Sequence, residues 1–188
     1  YILGVVQHAA LSHSEIAFTL IRDGKQVFSS DGKGKLIAPV FGVFGKEMTA
    51  NMIEVPMTER NGMTVHGYIV KPHAGRANRS MQHFFVNGRY VKSPLLTAAL
   101  EEAYRNQMMK GKFPGCVLHL KTRLNAVDVN VHPTKQEVKF GSDKKVFDAV
   151  YYAVKSTLEG DHTRPALTLD DGKPAPARPV STLSAEGG

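Results

Sequence analysis

Two stretches of this sequence have residue types and spacing that invite a chemical reading. The longer is Asp128-Val129-Asn130-Val131-His132-Pro133-Thr134-Lys135-Gln136-Glu137-Val138-Lys139-Phe140. Val129 and Val131 alternate with Asp128 and Asn130, the pattern of a strand with two distinct faces. Pro133 fixes φ and ends strand pairing, and an extended pattern resumes from Val138 to Phe140. Lys135 is thereby expected on a short connection held at both ends. Its ammonium is a compact point charge suited to a phosphate oxygen, although a solvated loop lysine is the commoner outcome. The shorter stretch is Phe84-Phe85-Val86-Asn87-Gly88-Arg89. There an apolar strand runs into an Asn-Gly turn that presents Arg89 at a fixed place. A hairpin carrying a surface arginine accounts for it equally well.

Other reactive residues lack companions. His132 has no evident serine or cysteine partner, and Asp128 falls within a strand. Gly32-Lys33-Gly34-Lys35 is too short for a phosphate-binding P-loop and lacks its Ser/Thr. The single cysteine, Cys116, sits in an apolar run and reads as a small buried residue suited to a reducing compartment. The eight histidines do not pair with cysteines or carboxylates at metal-ligand spacing. An enzyme complete within this chain is not expected, and no metal ligand is assigned.

The elements that position these residues follow from periodicity. Residues 1–11 read as the end of an apolar helix, and Ile16, Phe18 and Leu20 as a strand. Asp23-Gly24 turns that strand into a partner over Lys25 to Ser29. Leu36 to Phe44 reads as a short helix weakened by Pro39 and Gly42. Strands follow around Ile53 and Val55 and, after Asn61-Gly62, through Val65, Tyr68 and Val70. A polar basic loop covers residues 71–80. Ser93-Pro94 starts a helix, serine as cap and proline at the first position, which Gly111 and Pro114 close. Val117 to Lys121 and Val127 to Val131 are strands. After Ser142, Phe147, Val150, Tyr151, Val154 and Leu158 form the apolar stripe of a last helix. These elements predict an α/β (α+β) domain around one mixed sheet.

Charge is unevenly spread. Of 24 basic and 17 acidic side chains, 3 and 4 lie in residues 160–188, which leaves 21 and 13, a net of +8, in the first 159. A basic folded part favours a polyanionic partner. Residues 160–188 hold four of the ten prolines and few large apolar residues, and read as a disordered linker. No apolar run approaches the ~18–20 residues of a membrane span.

Together the two stretches resemble the MutL family of DNA mismatch-repair proteins. The middle domain of that family carries a VNGR-like strand end followed by a D-V-N-V-H-P-x-K-x-E-V-x-F segment. This chain matches at Val86-Asn87-Gly88-Arg89 and at every fixed position from Asp128 to Phe140. The resemblance implies a fold like ribosomal protein S5 domain 2, a mixed sheet with crossover helices on one face and one left-handed βαβ crossover. It implies the end of a helix from an ATPase domain of the GHKL type at 1–12, a transducer domain at 13–159 and a linker at 160–188. The neighbouring domain would hold most of an ATP molecule and its Mg2+. Lys135 would contact the γ-phosphate, with His132 and Pro133 beside it. MutS, a second MutL subunit and DNA without sequence preference are the implied partners, in a bacterial cytoplasm. Arg76, Arg79, Arg89 and Lys92, close in sequence around one strand, are the candidate DNA contacts. Two other readings suit the same residues: a nucleic-acid-binding S5-like module with no link to ATP, and a pure protein-interaction domain.

Overall fold

The computed structural model of the chain describes residues 1–123, 127–129 and 138–161. Four helices and nine strands are formed there: α1 (Ile2–Ser12), β1 (Ala17–Arg22), β2 (Lys25–Asp31), α2 (Ile37–Ala50), β3 (Met52–Arg60), β4 (Met63–Val70), β5 (Gln82–Val86), β6 (Arg89–Val91), α3 (Pro94–Ala103), β7 (Cys116–Lys121), β8 (Val127–Val129), β9 (Val138–Phe140) and α4 (Asp143–Gly160). The main sheet has the order β3-β4-β7-β5-β6. β5 and β7 run parallel, and the other neighbours are antiparallel, so the sheet is mixed as expected. The expectation of a single sheet needs correction, because β1–β2 and β8–β9 each form a separate two-stranded ladder. Their alternating patterns are those of any half-buried strand and do not say which ladder a strand joins.

Each face of the sheet has its own core. On one face the crossover helix α3 and the final helix α4 cover Ile53, Val65, Ile69, Phe84, Val86 and Leu118. On the other, Leu11 of α1 and Val40, Phe44 and Met48 of α2 meet Met52, Tyr68, Phe85 and Val117. Successive side chains of a strand point to opposite faces, which is why β5 is buried at all five positions. Both α3 and α4 begin at a serine whose hydroxyl accepts a backbone N–H, Ser93 from Leu96 and Ser142 from Lys145. Such caps satisfy donors that a helix start leaves unpaired.

Several boundaries differ from expectation. α2 runs to Ala50, bending at Gly45. Pro39 is harmless because it occupies the first turn, where its N–H would have no helical partner. α3 ends at Ala103, well before Gly111. Tyr104 caps it, and its buried hydroxyl donates to the Val70 carbonyl. In α4, Val150, Val154 and Leu158 are buried as read, but Phe147 and Tyr151 are only partly so, and Val146, Ala149 and Ala153 lie inside. The two alanines add to the buried face, which is therefore turned toward Val146, Ala149 and Ala153 relative to the expected stripe. Residues 160 and 161 aside, the expected linker lies outside the described residues. Among the described residues no helix is long and apolar enough to cross a membrane.

Candidate functional site at the distal end of the sheet

Because β5 and β7 are parallel, they leave the sheet at the same end, termed distal here. The Asn87-Gly88 turn follows β5 there, and Lys121 to Arg123 follow β7. Val86 pairs with Arg89, so the β5–β6 hairpin has a two-residue connection. Asn87 (φ 48) and Gly88 (φ 82) both take left-handed backbone. That combination matches the right-handed twist of the strands and favours Asn-Gly.

Asn87 then ties the end of the first motif to the chain that leaves β7. Its backbone N–H donates to the Leu120 carbonyl at 2.8 Å. Its side-chain oxygen accepts the N–H of Thr122 at 2.9 Å. The chain leaving β7 is thus held by the turn that ends β5. β8 and β9 pair from Val127↔Phe140 to Val129↔Val138, with residues 130–137 between them, and Val138 and Phe140 pack against the α3–α4 core. His132, Pro133 and Lys135 lie outside the described residues. The expectation that Lys135 falls on a segment held at both ends therefore concerns residues outside those described, between the two strands of that ladder.

α1 reaches the same end. The Ser12 hydroxyl donates to the Gly88 carbonyl. The Leu11 carbonyl lies 3.0 Å from His119 Nε2. Beneath the helix runs a ribbon of rings. His8 stacks on Tyr90 at 3.6 Å between centroids, His83 meets His8 edge-on at 5.4 Å, and His119 stacks on Phe85 at 4.7 Å. Burial, reinforced by the neighbouring His8, pushes the His83 imidazole down to about 4. Burial, with His66 alongside, pushes His119 to about 4 against the opposing pull of the Leu11 carbonyl. Both rings are neutral at pH 7. Cys116 is fully buried and its thiol is pushed up by that burial, which suits an inert core residue.

The four candidate DNA contacts are all exposed but do not form one cluster. Arg76 and Arg79 precede β5 and lie at the proximal end. There the Arg76 backbone bridges to Phe113. Arg79 pairs with Glu101 at 2.8 Å, and its guanidinium lies 4.1 Å over the Phe113 ring. Lys92 follows β6 and lines the same groove as Arg79. Arg89 starts β6 at the distal end. Arg76, Arg89 and Lys92 make no ion pair among the described residues. Sequence reading missed Asn87 as a connector and the histidine ribbon entirely. Asn87 was legible as a turn residue, but a contact with Thr122, 35 positions on, leaves no local signal.

Comparison with known proteins agrees with this geometry. The family described as DNA mismatch repair protein, C-terminal domain, matches residues 40–159. The DNA mismatch repair protein MutL of Desulforudis audaxviator is 42% identical over 154 residues, covering 82% of this chain and 27% of that protein. The MutL of Caldanaerobacter subterraneus subsp. tengcongensis is 34% identical, over 90% of this chain and 29% of its own length. The MutL of Thermoanaerobacter sp. strain X514 is 32% identical over 99% and 30%. The chain therefore spans about three tenths of these relatives. Among solved structures, the N-terminal domain of a DNA repair protein superposes with a TM-score of 0.67 at 24% identity, over 84% of this chain and 52% of that one. The ATPase domain of the mismatch repair endonuclease Aquifex aeolicus MutL gives 0.54 at 17%, over 81% and 50%. These likenesses set the class as a mixed α/β domain of the ribosomal protein S5 domain 2-like type. The chain belongs to the MutL family of DNA mismatch-repair proteins.

Proposed function

We infer that this chain is the transducer domain of a MutL ATPase, supplying Lys135 to the γ-phosphate of an ATP molecule held, with Mg2+, mainly by a preceding domain. The observation that supports this reading is convergence. The turn of the first motif, the chain leading to the second and the C-terminal end of α1 meet at one end of the sheet, linked by Asn87 Oδ1 to Thr122 N–H at 2.9 Å and by Ser12 to Gly88. A lysine on the 130–137 connection would stabilise charge that develops during phosphoryl transfer. His132 and Pro133 would shape its approach. The domain would act through its neighbour rather than as an enzyme alone, and would relay nucleotide state to MutS, a second MutL subunit and DNA. In the full-length protein, Lys135→Ala is expected to lower kcat for ATP hydrolysis about tenfold or more. Unchanged kcat and KM would return Lys135 to the role of an ordinary loop lysine.

The exposed cations Arg76, Arg89 and Lys92 favour nonspecific DNA binding as a second role of the same domain. This role does not depend on the ATP link, and it survives if Lys135→Ala is silent.

A further inference from the structure

We propose that Asn87 is a positioning residue for ATP hydrolysis, acting as the joint through which α1 and the chain leaving β7 at Thr122 are held in one register. This rests on the transducer reading above. The geometry is specific. β5 and β7 pair in parallel up to Val86↔Leu120, and the Asn87 N–H to Leu120 carbonyl bond extends that ladder by one step. β5 then turns away into β6, so Thr122 N–H has no strand carbonyl opposite it. The Asn87 side-chain oxygen takes that place. The same two-residue turn offers the Gly88 carbonyl to Ser12. A shift of α1 along its axis therefore pulls on the backbone that carries the Thr122 acceptor. The β8–β9 ladder begins five residues beyond Thr122.

Two substitutions separate this role from turn formation. Asn87→Gly keeps the left-handed turn, which glycine adopts freely, but removes the acceptor. Asn87→Asp keeps both an acceptor oxygen and a tolerated turn residue. In the full-length protein, N87G is expected to lower kcat about fivefold with KM for ATP unchanged, the rate equivalent of one hydrogen bond. N87D is expected to recover most of that loss. Amide exchange at Thr122 and across Val127–Val129 should quicken in N87G and not in N87D. Normal kcat in N87G, or equal loss in both variants, would overturn the proposal. Lys135→Ala run in parallel separates the two ideas. If it lowers kcat while N87G does not, only the joint fails. If it is silent, the transducer reading fails and takes the joint with it.

Discussion

At the scale of single residues, the geometry leaves least room at Gly67. It lies on β4 between Val55 of β3 and Leu118 of β7, with φ 146, and a β-carbon there would sit 1.9 Å from the Val117 carbonyl oxygen. No side chain can move to relieve that contact, because the obstacle is backbone of the neighbouring strand. Gly67→Ala must either break the β4–β7 ladder or shift β7, and β7 carries Thr122 and the chain toward Lys135. The expected loss is about 4 kcal/mol or more, in the range reserved for backbone strain and broken ladders. Urea unfolding of the variant measures it, and a loss below about 1 kcal/mol would contradict the packing described.

At the scale of elements, α1 rests on neutral histidines, and this makes its seating sensitive to acid. His83 has both ring nitrogens buried and without a hydrogen-bond partner among the described residues, enclosed by His8, Phe44 and Tyr90. Its folded pKa of about 4 lies below the ordinary 6.5 of an unfolded histidine. The unfolded chain therefore binds the extra proton first, and stability is complete above about pH 6.5 and lost as pH falls toward 4. The loss from His83 is on the order of 3 kcal/mol at the acid limit. His119 acts in the same direction, so the thermal unfolding temperature should fall steeply from pH 7 to 4.5. His83→Leu should flatten part of that slope and hold or raise stability at pH 7, since it removes unpaired polar atoms. An unaltered slope would show that the ring is solvated.

The same elements show how far sequence alone reached. Ser93, Ser142, Asp23-Gly24, Asn61-Gly62 and Asn87-Gly88 act within a few residues, and each element they begin or turn was legible. The start of α4 and the burial of Val150, Val154 and Leu158 were legible, whereas the partial exposure of Phe147 and Tyr151 depends on the packing of α4 against α3 and the sheet. The partition of strands among three ladders, and the ring contacts under α1, join residues up to 108 positions apart, as in His119 with Leu11. No local pattern encodes such pairings. Lys135 was singled out by the string around it and not by any physical necessity in its neighbours.

At the scale of the whole molecule, the exposed candidate cations are divided between the two ends of the main sheet, Arg76, Arg79 and Lys92 at the proximal end and Arg89 at the distal end. β6 is an edge of the main sheet, with Arg89 at its distal end and Lys92 just past its proximal end, about 10 Å apart at the rise of a strand. Arg76 lies away from that edge, where its backbone bridges to Phe113 ahead of β7. DNA that engaged all three would have to reach both ends of the sheet, and each neutralised phosphate releases counterions, changing the slope of log K against log salt by about 0.9. Arg76→Ala, Arg89→Ala and Lys92→Ala are each expected to lower the slope by about that amount, whatever the DNA sequence. Arg79→Ala should lower it less, because its guanidinium is already engaged by Glu101 and the Phe113 ring. Binding titrations of the full-length protein on one duplex at several salt concentrations give all four slopes. Loss confined to Arg76 and Lys92 would place the DNA at the proximal end alone. Four unchanged slopes would move DNA binding off this edge altogether.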